Sequence, residues 1–235
     1  MLRVIGLDGR VAVVTGAGRG IGLRIVDSLV ANGSRVAVLD LVPPERDDIL
    51  GIECDVSDEE AVEAAFGRIE SELGTTSVLV LSAGITPLVP FEETSSELWE
   101  RTISVNLTGA FLTVRRATPG MRKLGYGRIV ALGAAAGKSG GARSAAYAAS
   151  KAGLMVLIKS IASEYARDGI TANVVAPALI DTGMLPNARE LVDRVPVGRL
   201  GTADEVAALV TYLVSGDAGY VTGETVDING GTLID

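Results

Sequence analysis

The run Val11-Ala12-Val13-Val14-Thr15-Gly16-Ala17-Gly18-Arg19-Gly20-Ile21-Gly22 joins a short apolar, β-branched segment to a cluster of glycines. The first part is what a strand buried on both faces of a parallel sheet requires. The helical pattern Leu23 to Ala31 follows directly. Glycine clusters often do no more than connect two elements. Between a strand and a helix, however, they let the backbone turn sharply and approach a pyrophosphate. The free N–H groups and dipole of the helix N-terminus favour that anion. This predicts a nucleotide-binding α/β fold.

A second strand over Arg35–Leu39 ends in Asp40, a carboxylate suited to accept hydrogen bonds from the adenosine ribose hydroxyls. Its charge repels a 2′-phosphate, so NAD is favoured over NADP. Arg19 argues the other way, because a guanidinium in the glycine loop pairs well with such a phosphate.

Past Asp40, Pro43 and Pro44 break the chain, and a short turn is expected in place of a crossover helix. A third strand is read over Leu50–Cys54, leading into Asp55-Val56. Ser57–Glu60 has a capping-box pattern opening a helix to about Leu73. Ser77–Leu81 is the fourth strand, ending in Ser82-Ala83-Gly84. Thr94–Glu97 is a second capping-box pattern. It is expected to open one long helix through Asn106 to about Thr118, with Leu98, Ile103, Leu107, Ala110, Phe111 and Val114 towards the sheet. Arg128–Leu132 is the fifth strand, and a helix from about Ser144 to Arg167 carries Tyr147 and Lys151. Ile170–Ala176 is the sixth strand, followed by Pro177 and a substrate flap over about 183–199. Thr202–Glu205 caps a last helix before the strand Glu224–Ile228. Seven strands alternating with helices predict a doubly wound parallel α/β sheet, a Rossmann fold, with residues 1–235 forming one domain.

Composition narrows the chemistry. The 235 residues include 29 glycines, one cysteine and no histidine, with a formal net charge of −8. An internal disulfide, a histidine triad and the commonest metal-ligand sets are excluded, and no metal is expected. The acidic balance argues against nucleic acid or an anionic membrane as partner. With no apolar run recognised as long enough to span a bilayer, a soluble cytoplasmic protein is expected. Cys54 has no visible base and is read as a small core residue.

Tyr147 and Lys151 stand four apart and share a helix face. A neighbouring positive charge lowers a phenol's pKa and makes it a usable acid or base near neutrality. Asn106, mid-helix, is mildly unfavourable there and is a candidate for a specific role.

Thr15–Gly22, Asp55-Val56, Ser82–Gly84, Asn106, Tyr147-xxx-Lys151 and Pro177-xxxx-Thr182 come in the order of one family. From Val11 to Gly230 the chain resembles the single-domain, NAD(P)-dependent branch of the short-chain dehydrogenase/reductases, including the 3-oxoacyl reductases. The resemblance implies that Gly16, Arg19, Gly20, Ile21 and Gly22 hold the pyrophosphate and adjoining ribose. It assigns Asp40 to the adenosine ribose, Asp55 and Val56 to the adenine, and Ala83 and Gly84 to the cofactor wall. It has Ile180 and Thr182 meet the nicotinamide carboxamide and counts Pro177 among the cofactor-binding residues. Lys151 bonds the nicotinamide ribose and lowers the Tyr147 pKa, Asn106 helps hold a relay water, and Tyr147 passes the proton as hydride moves. A homotetramer is implied, acting on an alcohol, ketone or acyl substrate.

The chain departs from that pattern at the substrate. Counting back 13 residues from Tyr147, where the family usually has a serine that polarises the substrate oxygen, lands on Ala134. Three origins are open: an engineered replacement, a natural enzyme whose substrate or Ser139 or Ser144 compensates, or a nucleotide-binding regulatory protein with little turnover. Ser82 and Ala178 replace the family's preferred Asn and Gly. Leu88, Val89, Ala142, Met184 and Leu185 suggest either an apolar substrate pocket or simple core and flap packing, and the acidic charge argues against highly anionic substrates unless Arg143 or Arg189 lies near the pocket mouth.

Overall fold

The computed structural model describes residues 4–182 and 191–234. The strands β1 (Val11–Thr15), β2 (Arg35–Asp40), β3 (Ile49–Glu53), β4 (Val78–Leu81), β5 (Gly127–Leu132), β6 (Ile170–Pro177) and β9 (Thr225–Ile228) form one sheet. Its order is β3-β2-β1-β4-β5-β6-β9, and every neighbouring pair is parallel. The remaining strands, β7 (Ile180–Asp181) and β8 (Gly201–Thr202), pair with each other. This is the expected Rossmann-like α/β architecture, and its strand order reverses between β1 and β4.

Because alternate strand residues point to opposite faces, β1 feeds two cores. Val11 and Val13 join α2 (Glu59–Glu72), α4 (Gly109–Leu124) and α6 (Ala145–Tyr165) around Phe66, Met121, Leu154 and Ile158. Ala12 and Val14 join α1 (Gly20–Ala31) and α7 (Ala203–Leu213) around Ile25, Leu29, Val206 and Val210. Residues 41–48, around Pro43 and Pro44, make bends and a turn with no helix, as expected.

Two helix starts differ from expectation. The cap of α2 is Asp58, whose carboxylate accepts from Glu60 and Ala61 N–H, while Ser57 instead donates to Asp55. The cap of α3 (Ser96–Ile103) is Ser95, because the Thr94 hydroxyl is bound to the Pro90 carbonyl. Only Thr202, which caps α7, forms the full reciprocal box.

The expected single helix from Thr94 to Thr118 is three pieces: α3, a wide π turn over Ser104–Thr108, and α4, which runs on through Pro119 to Leu124. The extra residue in that turn shifts the helical phase. Phe111 is consequently 43% exposed and does not face the sheet. The membrane expectation also needs amending. Ala145–Asp168, which contains α6, is long and apolar enough to cross a bilayer by length and composition. Its Leu154, Met155, Ile158 and Ile161 are spent on the core, which accounts for the composition.

Candidate active site

The reversal between β1 and β4 opens a crevice at the carboxyl ends of the strands, where open α/β sheets bind ligands. Two loops meet there. Gly16, at φ +65°, lies so close to the β4 loop that a Cβ on it would sit 2.4 Å from the Ala83 Cα. The Thr15 hydroxyl fixes that loop by accepting from the Ser82 and Ala83 N–H groups, each at 3.2 Å. A Cβ on Gly22 would meet the Gly16 carbonyl oxygen at 2.4 Å, so α1 begins directly against the loop. No side chain caps α1 and its first turn holds no acidic residue. Bare N–H groups beside a glycine cradle fit a pyrophosphate.

Asp40 closes the far side of the loop. Its carboxylate accepts from Gly18 N–H at 2.7 Å and from Val42 N–H at 3.0 Å. A cavity of about 610 Å³ lies beyond it, lined in part by Asp40, Val42, Cys54, Asp55, Val56 and Arg101. Burial pushes the Asp55 carboxyl up, but bonds from Ser57 and Arg101 outweigh this and hold it below its ordinary value. Cys54 is buried, and desolvation with the Asp55 and Asp58 charges raises its thiol to about 11, which suits packing and opposes thiolate chemistry.

A second cavity of about 310 Å³ shares Gly16, Arg19, Ser82 and Gly84 with the first, making one trough. Gly20, Ile21, Gly22, Tyr147, Lys151, Pro177, Ile180 and Thr182 line this second end. Ala83 lies on the wall of the first. All fifteen residues predicted to hold the cofactor therefore border the trough.

Tyr147 and Lys151 line the second end, and Asn106 lies buried behind Gly84, where a Cβ would meet Asn106 Oδ1 at 3.2 Å and Lys151 Nζ at 3.5 Å. Asn106 is buried in the π turn and clamps the loop after β4. Its Oδ1 accepts from Ile85 N–H at 2.8 Å, and its Nδ2 donates to the Ile85 carbonyl at 3.0 Å and to Ser150 Oγ at 2.9 Å. Ser150 in turn donates to the Tyr147 carbonyl at 2.7 Å. The Lys151 Nζ is 5.9 Å from the centre of the Tyr147 ring.

The electrostatics differ from the sequence expectation. Burial raises the Tyr147 phenol above its ordinary value, with a hydrogen bond from Thr86 offsetting part of the rise. Burial lowers Lys151 from 10.5 to about 8. In this arrangement desolvation, and not the lysine charge, sets the phenol.

Ala134, two residues beyond β5, precedes the short helix α5 (Ala135–Ser139) as a buried residue in extended conformation, and its methyl group has no donor. Neither expected substitute reaches the trough. Ser139 Oγ donates to the Ala135 and Gly140 carbonyls, and Ser144 Oγ to the Gly141 carbonyl. Leu88 and Ala142 are exposed, and neither borders either cavity, nor does Val89. Arg143 is also exposed, at φ 62°. Met184, Leu185 and Arg189 lie outside the described residues, as does the stretch 183–190 of the expected flap, whose base is closed by the β7–β8 pair. Sequence reasoning missed Arg101, Ser150 and Thr86. Ser150 was visible at helical spacing from Tyr147; the other two carry no local motif.

A family model described as enoyl-(acyl carrier protein) reductase matches residues 16–232. The chain is 40% identical over 227 residues to the 3-oxoacyl-(acyl-carrier-protein) reductase MabA of Mycobacterium tuberculosis, covering 94% of this chain and 92% of that protein. It is 38% identical over 237 residues to the 3-oxoacyl-(acyl-carrier-protein) reductase FabG of Escherichia coli, covering 95% and 97%. The FabG of Salmonella typhimurium matches to the same extent. Similarity running through nearly the whole of each partner, on a fold whose loops meet at one crevice, is that of a common lineage: the chain belongs to the short-chain dehydrogenase/reductase family of oxidoreductases.

Proposed function

We propose that the chain is an NAD-dependent ketoreductase acting on a 3-oxoacyl thioester or a related alcohol/ketone pair. The observation that carries this reading is the convergence of Tyr147 and Lys151, one turn apart on α6, on the same end of a dinucleotide-sized trough. The thioester class comes from the names of the relatives. NAD is preferred to NADP because Asp40 sets a negative charge where a 2′-phosphate would lie.

In this reading Gly16, Arg19, Gly20, Ile21 and Gly22 hold the pyrophosphate, and Asp40, Asp55 and Val56 hold the adenosine end. Ala83, Gly84, Pro177, Ile180 and Thr182 position the nicotinamide. A dinucleotide bound there supplies the hydride. Tyr147 gives its proton to the carbonyl oxygen, and its raised pKa, set by burial, keeps it protonated at neutrality, the state required for reduction. Lys151 holds the nicotinamide ribose and stabilises the phenolate left behind. Asn106 braces the loop that forms the cofactor wall. The exposed Phe111 on α4 and Val156 on α6 support assembly as a cytoplasmic homotetramer through these helices.

Ala134 favours a second reading, a nucleotide-binding protein of low turnover. Calorimetry with NADH and NADPH, and NADH oxidation with acetoacetyl-CoA, separate the two. The first reading expects NADH to bind at about micromolar Kd or tighter, Ala134→Ser to raise turnover about tenfold or more, and Tyr147→Phe to abolish it. NADH binding without turnover in either the parent or Ala134→Ser establishes the second.

A further inference from the structure

We propose that Thr86 supplies to the reacting oxygen the hydroxyl hydrogen bond that position 134 cannot. The inference rests on the ketoreductase reading and adds a residue to it.

The location is specific. Thr86 follows Gly84 and Ile85 in the loop after β4 and lines the same cavity as Tyr147 and Lys151. Asn106 pins its neighbour Ile85 by both main-chain groups, at 2.8 and 3.0 Å, so the threonine stands on a fixed backbone. Its β-branched side chain has few χ1 choices, which lowers the entropy lost in aiming the hydroxyl. Thr86 is exposed, shares the cavity wall with Tyr147, and lies near enough to the phenol to offset part of the rise that burial gives its pKa. The two serines nearest in sequence to Ala134 donate elsewhere, to Ala135, Gly140 and Gly141.

A hydroxyl both donates and accepts. During reduction, hydride forms the new C–H bond and the Tyr147 proton forms the new O–H bond. Thr86 keeps its own proton throughout, donating a hydrogen bond to the oxygen as negative charge gathers there and to the phenolate once Tyr147 has given its proton. A preorganised donor of this kind is worth about 10²–10³ in rate.

Five proteins test this: the parent, Thr86→Val, Thr86→Ser, Ala134→Ser and the Thr86→Val/Ala134→Ser double variant. Each is assayed for NADH oxidation with acetoacetyl-CoA, for NADH binding, and by phenolate absorbance titration against Tyr147→Phe. Thr86→Val should lower kcat about 10²-fold or more with NADH affinity essentially unchanged, and should move the Tyr147 titration upward. Thr86→Ser should retain most activity, and Ala134→Ser should restore most of what Thr86→Val loses. A parental rate that survives Thr86→Val, or a Tyr147 titration that does not move, overturns the role of Thr86 alone. Absence of turnover in all five proteins overturns the ketoreductase reading and the Thr86 role with it.

Discussion

The ammonium of Lys151 donates to the main-chain carbonyl of Leu132 at 2.6 Å, so the last residue of β5 holds the cation that α6 buries. Burial disfavours the charge and lowers its pKa from 10.5 to about 8. The unfolded chain keeps that proton up to about 10.5, whereas the folded one releases it near 8. Between these values the unfolded state binds more protons, so stability rises with pH across the window. Below pH 8 the cost is present in full, up to about 3 kcal/mol at 1.36 kcal/mol per unit.

Lys151→Met should therefore abolish turnover yet raise Tm by several degrees at pH 7, after allowing about 1 kcal/mol for the lost Leu132 bond. The advantage should shrink as pH rises from 8 towards 10.5. Thermal melts of both proteins across that range check the sign. A variant no more stable than the parent at pH 7 would show that the ammonium is not held at a cost.

Asn106 should prove a structural clamp before anything else. Asn106→Ala leaves the Ile85 N–H and carbonyl without their partner and removes the bond that the Ser150 hydroxyl accepts. Unsatisfied buried groups cost about 1–3 kcal/mol each, so Tm should fall by roughly 5–15 °C. Ser150→Ala removes only one of these bonds and should cost far less. Equal melting temperatures for the two variants would deny Asn106 its hold on Ile85.

The contrast between these two residues marks what was legible beforehand. The sheet was readable because buried parallel strands are uninterrupted apolar runs, and the β1 glycines because backbone contact at 2.4 Å admits no other residue. Lys151 was found from its spacing, but its pKa was not, since desolvation depends on what closes over the side chain. Asn106 was singled out as unfavourable in a helix. Its π turn was hidden, because one extra residue in a turn leaves no compositional trace, and the same residue misdirected the reading of Phe111. Thr86 and Arg101 act across loops remote in sequence from their partners, Tyr147 and Asp55, and a linear pattern holds no record of such pairs.

Arg101 gives a prediction about the nucleotide's adenosine end. Its guanidinium bonds Asp55 at 3.1 Å and Ser57 Oγ at 2.9 Å on the cavity wall. Arg101→Leu should weaken NADH binding several-fold and leave kcat little changed, since the pair is remote from Tyr147. Asp55 is held below its ordinary value, so its contribution to stability is present above the unfolded pKa and is lost as pH falls through the folded one. Acid unfolding of Arg101→Leu, followed by circular dichroism, should begin at higher pH than the parent's. A large fall in kcat with unchanged affinity would count against this assignment.

Asp40 sets the cofactor prediction. Its carboxylate is fastened to Gly18 and Val42, and a Cβ on Gly18 would sit 3.0 Å from the Asp40 Oδ2. The charge thus lies in contact with the glycine loop, and a phosphate approaching that loop meets it at close range. Like-charge opposition of this kind costs several kcal/mol. Asp40→Asn removes the charge and keeps an acceptor for one of the two N–H groups, which bond different carboxylate oxygens, so the fold should be retained at a cost of about 1–3 kcal/mol for the other. NADPH should then gain about 10²-fold relative to NADH, because the exposed Arg19 becomes free to act on the 2′-phosphate. Adding Arg19→Leu to Asp40→Asn should remove most of that gain while leaving NADH binding weaker by no more than the pyrophosphate contact accounts for. Calorimetric titration of the parent, single and double variants with both dinucleotides decides the matter. A parent that already prefers NADPH would mean that Arg19 outweighs Asp40, and the NAD assignment would fall.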